Sequence, residues 1–175
     1  MTNLVLRPLE VSDEKAFFEG LSLWEGEDLS WYTFSWKEGM AFPEMLRILR
    51  DEEAGRELAP GRVPHTMLYG FLDGRIIGRV SVRHTLNESL RQRGGHLGYA
   101  VAPTYRGQGL ATEMMKQALL YCQGLQLTEI MVTCADTNTP SWKIIEHFGG
   151  RLEERVWDPE DQETIRRYWV KTDRS

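Results

Sequence analysis

The longest regular signal in the chain is an apolar stripe near its middle. Leu110, Ala111, Met114, Met115, Ala118, Leu119, Cys122 and Leu125 recur at steps of three and four, which predicts an amphipathic helix over 109–125. Shorter runs on both sides carry strand signals. Residues 66–72 and 76–84 flank Asp73-Gly74, a dipeptide suited to a tight hairpin turn. Residues 96–102 read as a strand ended by Pro103, and 129–134 as another. Residues 86–93 suggest one or two helical turns, broken by Gly94-Gly95.

Upstream, a short strand over 3–7 stops at Pro8, and Ser12 is placed to cap a helix that buries Ala16, Phe17, Leu21 and Trp24. Met45, Leu46, Ile48 and Leu49 mark a helix over 43–54, and the two prolines and two glycines of 55–64 mark a loop. Downstream, Thr139 can cap a helix beginning at Pro140 and stopped by Gly149-Gly150. Strands over 151–157 and 164–171, joined by Asp158-Pro159-Glu160-Asp161, finish the chain. The order is strand, helices, three strands, helix, strand, helix, two strands: a mixed α/β layer architecture. With 175 residues and no internal repeat or low-complexity linker, a single domain over 1–175 is expected, with 25–64 as its variable part.

Composition narrows the function class. A formal net charge of −5 argues against a nucleic-acid binder, which needs a basic face to neutralise phosphates. The two cysteines, Cys122 and Cys134, form no CxxC pair, and no histidine cluster has ligand spacing. No disulfide framework and no metal site are therefore expected, and a reducing cytoplasm fits best. The N-terminus lacks the basic flank and apolar run of a signal peptide, and no segment is long enough to span a membrane.

The stretch from Gly98 to Ala118 joins a strand to the amphipathic helix through a glycine-rich turn. Gly107 and Gly109 can take positive φ and let a ligand approach the backbone. The first helical turn presents unpaired N–H groups with partial positive charge, which hold an anion without a dedicated lysine. Arg106 adds a cation at the rim and Thr112 a hydroxyl. The turn lacks the lysine of a nucleotide-triphosphate loop and the three-glycine spacing of a dinucleotide fingerprint. An anion cradle of another kind and a plain packing turn remain.

Arg106-Gly107-Gln108-Gly109-Leu110-Ala111, after His96-Leu97-Gly98-Tyr99-Ala100-Val101-Ala102-Pro103, resembles the acetyl-CoA signature (Gln/Arg)-x-x-Gly-x-(Gly/Ala) of the GNAT N-acetyltransferase superfamily. Asn138-Thr139-Pro140-Ser141, followed by Ile144-Ile145-Glu146-His147-Phe148-Gly149, is similar to the family's second landmark. Arg83-His84-Thr85-Leu86-Asn87, Gly94-Gly95-His96 and Arg167-Tyr168-Trp169 resemble a bacterial subgroup of predicted acetyltransferases.

The resemblance implies a central twisted, mostly antiparallel sheet with helices on both faces and two splayed central strands, here 96–102 and 129–134. It implies acetyl-CoA as co-substrate, with pantetheine along Val101 and Ala102 and pyrophosphate on the amides of Gly107, Gln108, Gly109, Leu110 and Ala111. Arg106 and Thr112 would stand beside the phosphates, and Asn138 would reach the pantetheine arm or the sulfur. A backbone N–H near Val101 would polarise the thioester carbonyl.

The family often places a glutamate where this chain has His96, whose ordinary pKa suits a base at neutral pH. His96 can equally fix a strand end by a hydrogen bond. Glu88 and His84, close in the adjoining hairpin, are rival bases. Many family members carry a tyrosine acid at the position of Ile145, which cannot donate a proton, so that role is vacant or filled elsewhere. Cys134 reads as structural rather than as a ping-pong nucleophile, and Cys122 as core.

The acceptor side is expected in the variable region. There Trp24, Trp31, Tyr32, Phe34 and Trp36 stand among Glu25, Glu27 and Asp28, either to hold a cationic amine or simply to pack the helical layer. The expectation is an acetyl-CoA-dependent N-acetyltransferase acting on a small-molecule or peptide amine by direct attack, as a monomer or homodimer. A non-catalytic acyl-CoA sensor and a structural α/β domain are the alternatives.

Overall fold

The computed structural model describes residues 2–173. Its strand segments assemble into one seven-stranded sheet of order β1-β2-β3-β4-β5-β7-β6. These are β1 (Leu4–Arg7), β2 (His65–Leu72), β3 (Arg75–Arg83), β4 (Leu97–Val101), β5 (Glu129–Ala135), β6 (Arg151–Asp158) and β7 (Glu163–Lys171). Asp73 and Gly74 both take positive φ, 49° and 79°, as the hairpin between β2 and β3 requires. Every neighbouring pair is antiparallel except β4 and β5, which run parallel and pair only at Leu97 and Val132.

That single pairing positions the site. At its start β4 is fastened to β5: His96 N donates to Met131 O at 2.8 Å, and Met131 N donates back to His96 Nδ1 at 2.9 Å. Gly95 takes φ 59° there, with the Met131 carbonyl lying where a Cβ would be. Beyond Leu97 the strands diverge, so the far half of β4 has one edge without a sheet neighbour.

Helices cover both faces. α4 (Leu110–Gly124) and α5 (Thr139–His147) pack on one, burying Met114, Met115, Ala118, Leu119 and Ile145 against Leu68, Val80, Val82 and Val132. α1 (Glu14–Leu21) and α2 (Phe42–Glu53) pack on the other, where Met67, Tyr69 and Phe71 of β2 meet Phe17, Phe42 and Met45. The period-two alternation of β2 between the two cores is the signature of a sheet covered on both sides. A short helix, α3 (Glu88–Gln92), links β3 to β4. Among the described residues no helix is long and apolar enough to cross a membrane.

Two caps differ from the sequence expectation. Ser12 lies inside a 3-10 turn (Val11–Asp13); the side chain of Asp13 accepts from Glu10 N at 2.7 Å and is gripped by Arg7 at 2.7 and 2.9 Å. Asn138, not Thr139, caps α5, its Oδ1 accepting from Ser141 N at 3.3 Å. The carboxamide reaches the third amide of the helix, while Thr139 is already helical. The variable region packs chiefly inward: Tyr32 stacks on Phe17 at 5.1 Å and donates to its carbonyl at 2.8 Å, and Trp24 stacks on Tyr32. Trp31 alone of that aromatic set is half exposed, at 50%.

Candidate functional site

The divergence of β4 from β5 opens a cleft of about 740 Å³. Tyr99, Ala100 and Val101 form one wall, and Asn138, Pro140 and Ser141 at the start of α5 form the other. Arg106, Gly107 and residues 109–112 make its floor, and Trp31 and Glu27 stand at its rim. Ala102 N donates to Ile77 O at 2.8 Å, toward β3. Ladder alternation therefore turns the backbone groups of Val101 and Tyr99 the opposite way, into the gap.

The floor is built for negative charge. Gly109 begins α4 with φ 78° and Gly107 has φ 74°, conformations that favour glycine. No Cβ contact lies within 4 Å at either, so the backbone angle, not crowding, demands the residue. Unlike α3 and α5, which asparagines cap, α4 has no side-chain cap. Its i→i−4 bonding starts with Glu113 N to Gly109 O at 3.2 Å, so the amides before it face the cleft unpaired. They carry the partial positive charge of the helix end, about half an elementary charge.

Of the residues expected to hold acetyl-CoA, Val101, Arg106, Gly107, Gly109, Leu110, Ala111, Thr112 and Asn138 line this cleft. Gln108 does not; its side chain turns back to Thr104 O at 3.3 Å. Ala102 is fully buried in the other core, its amide spent on Ile77. Arg106 folds over the rim, with Nε donating to Val101 O at 2.9 Å and Nη1 meeting Glu27 at 3.2 Å. Glu27 is therefore engaged by an arginine and is not a free carboxylate awaiting an amine.

The three expected bases are not brought to the cleft, and each departure has a reason. The ring of His96 is the clasp between β4 and β5, its Nδ1 lone pair taken by the Met131 amide. Burial, helped by the charges of Arg91 and Arg83, pulls its pKa down to about 4. His84 bonds Thr66 Oγ1 at 2.8 Å on the face that Tyr121 of α4 covers, and burial lowers its pKa. Glu88 projects from the exposed first turn of α3.

Two hydroxyls that the sequence reading did not single out do meet in the cleft. Tyr99 Oη and Ser141 Oγ lie 2.8 Å apart, and Tyr99 also donates to Ser141 O at 3.3 Å. Burial pushes Tyr99 up to about 12, so it keeps its proton at neutral pH. Ser141 also bonds Cys134, a thiol that burial raises to about 11 and keeps from acting as a nucleophile. The signal was present in the cap motif: the third residue after Asn138 starts the helix wall that faces β4. Ile145, where a tyrosine acid was expected by resemblance, is fully buried, with Gly150 packed against it.

The same fold recurs in solved structures. One is RimJ from Mycobacterium smegmatis in complex with CoA-disulfide, at TM-score 0.66 and 22% identity over 96% of this chain and 81% of that one. Another is YncA, a putative acetyltransferase from Salmonella typhimurium with its cofactor acetyl-CoA, at TM-score 0.64 and 10% identity over 98% and 95% of the two chains. A spermidine N-acetyltransferase SpeG chimera from Vibrio cholerae and hSSAT aligns at TM-score 0.62 and 18% identity, covering 98% of this chain and 96% of its own. At these identities the likeness is one of fold. No curated protein matches the chain in sequence. The family model for the acetyltransferase (GNAT) domain matches residues 3–151, and with that span matched the chain belongs to the GNAT acetyltransferases.

Proposed function

We propose that the protein moves an acetyl group from acetyl-CoA to a primary amine by direct attack within a ternary complex, using 1–175 as one catalytic domain. The observation that carries this is the uncapped, glycine-started α4 opening onto the unpaired edge of β4. Its free amides suit a pyrophosphate, the β4 edge suits the amide groups of a pantetheine arm, and the cleft volume of about 740 Å³ accommodates both. The CoA complexes of RimJ and YncA favour the same donor.

Acetyl-CoA supplies a thioester carbon activated toward nitrogen. The amides of Gly107, Gly109, Leu110 and Ala111 hold the phosphate end, and Arg106 closes the rim. Val101 N–H, turned into the gap, donates to the carbonyl oxygen as negative charge builds on it. As the new C–N bond forms and the C–S bond breaks, Ser141 Oγ gives its proton to the departing sulfur and recovers one from Tyr99 Oη, which is reprotonated at once by the water that takes the amine's proton. Glu27 being held by Arg106, the amine gives up its proton to water. Cys122 and Cys134 remain thiols in a reducing cytoplasm.

The test is a thermal shift with acetyl-CoA alongside free-thiol release across an amine panel. A cofactor shift with amine-dependent thiol release is expected. No shift would overturn the donor site, and a shift without thiol release from any amine would favour a sensor.

A further inference from the structure

A second cavity, of about 230 Å³, lies on the α1–α2 face of the sheet, among Phe34, Arg62, His65, Ser81, Arg83 and Leu90. It is smaller than typical ligand sites of about 300–1,000 Å³, so it suits one functional group of a molecule. Arg79, Ser81 and Arg83 alternate along β3 and so share a face. Gly98, the register partner of Ser81, leaves that face uncovered: a Cβ there would lie 3.3 Å from Ser81 Oγ, 3.8 Å from Arg83 Nη1 and 3.9 Å from Arg79 Nη1. Three donors thus converge on one spot beside β4.

Their pairing is incomplete. Ser81 is 1% exposed, and its hydroxyl has no partner among the described residues. Arg83 Nη1 is held by the carbonyls of Gly94 and Gly95 at 3.0 and 3.3 Å, while Arg79 gives Nε and Nη2 to Trp31 O and Ser30 O at 2.9 and 3.1 Å. Arg79 Nη1 and the remaining nitrogens of Arg83 have no acceptor among the described residues. Among the described residues no carboxylate lies within ion-pair distance of Arg62, Arg79 or Arg83. Glu52, an acid near the cavity, is matched by His65 Nε2 at 3.0 Å and Ser35 Oγ at 2.9 Å, and it also feels the charge of Arg62 without bonding it. His65 turns its other ring nitrogen to Val63 O at 2.9 Å, so it too brings no acceptor. Burial and the neighbouring charge of Arg83 hold Arg79 down at about 10, the strain expected of a buried cation without a counter-ion.

We infer that this cavity binds the carboxylate of the acceptor, so that the substrate is an amine that also carries an acid group. The guanidinium forks of Arg62 and Arg83 match a planar carboxylate, and Ser81 Oγ donates to it from below. The place agrees with the chemistry. Gly98 directly precedes Tyr99 of the donor cleft, Ala100 pairs with Arg79 and lines that cleft, and the Arg79 guanidinium lies 4.4 Å over Phe34 of the cavity. Val101, whose N–H takes the thioester carbonyl, stands three residues beyond Gly98, about 10 Å along the strand, so an acid group seated at Ser81 must carry its amine several bonds away, as a dipeptide or a side-chain amine does. This inference rests on the acetyl-transfer reading for the direction of the amine.

Calorimetry on the protein saturated with coenzyme A tests it, with the common α-amino acids and acidic dipeptides each set beside its C-terminal amide. At least one acid is expected to bind about tenfold or more tightly than its amide, the worth of a charge-assisted hydrogen bond. Ser81→Ala and Arg62→Gln should each shrink that ratio while leaving the acetyl-CoA thermal shift in place. Arg62 is exposed in a loop, so its variant guards against a folding failure at Ser81. Equal binding of acids and amides, binding of neither, or preference for a polyamine would overturn the inference. Selective binding of acids without thiol release would uphold the carboxylate site and sink acetyl transfer. Thiol release as fast with amides as with acids would do the reverse.

Discussion

Tyr99 Oη and Ser141 Oγ, from neighbouring walls of the cleft, lie 2.8 Å apart, where β4 has left β5 and α5 begins. The pair joins an unpaired strand edge to a helix start, and in the proposed reaction it would offer the proton that the leaving sulfur takes. If Ser141 is the donor, Ser141→Ala should lower kcat by about a hundredfold, a usual contribution of general acid catalysis, with the KM for acetyl-CoA little changed. Tyr99→Phe should cost less, and the double variant little more than Ser141→Ala alone, because the two act in series. Steady-state thiol release decides it; an unaltered kcat in Ser141→Ala would remove the acid.

Gly109 holds the floor of the cleft in its left-handed shape, φ 78°. Gly109→Ala should cost about 1–2 kcal/mol of stability, the penalty of that conformation for an L residue. Gly109→Val should cost more and also reduce the thermal shift produced by acetyl-CoA. A shift equal to that of the unaltered protein would show that α4 does not form the cradle.

His96 should matter to stability and not to the proton path. Its pKa falls from 6.5 in the unfolded chain to about 4 in the fold. Between those values the unfolded state binds more protons, so the stabilising contribution is complete above pH 6.5 and is lost as pH falls toward 4. The urea midpoint should decline across that window. His96→Gln should flatten this dependence and leave the neutral-pH profile of kcat unshifted. A kcat profile that moves with His96→Gln would return it to the role of base.

Ile145 is core. Ile145→Ala should destabilise by about 2–5 kcal/mol through the cavity it leaves. Ile145→Tyr should not install an acid, because the space beside Ile145 Cγ2 is so close that a Cβ at Gly150 would lie 2.6 Å from it. Overpacking there should cost about 1–3 kcal/mol with no gain in rate. A faster enzyme with tyrosine at this position would contradict that packing.

The sequence alone determined the elements and the glycine-rich turn that floors the cleft, because both are local. The three- and four-residue apolar recurrence from Leu110 to Leu125 becomes α4, and Asp73-Gly74 becomes the hairpin turn. Gly107 and Gly109 mark a backbone of positive φ whatever surrounds them. Tertiary structure decided which side chains meet. His96 carries the right chemistry for a base, yet the partner on β5, 35 residues away in sequence, occupies its lone pair. Ser141 looked like a residue of a helix start, until the splay of β4 brought Tyr99 to it. Glu25, Glu27 and Asp28 suggested a cationic acceptor; folding spent Glu27 on Arg106 and Asp28 on the amide of Ser30, and left arginines facing the second cavity. Charge pairing over long sequence separations is set by packing of both sheet faces, and no spacing within one element encodes it.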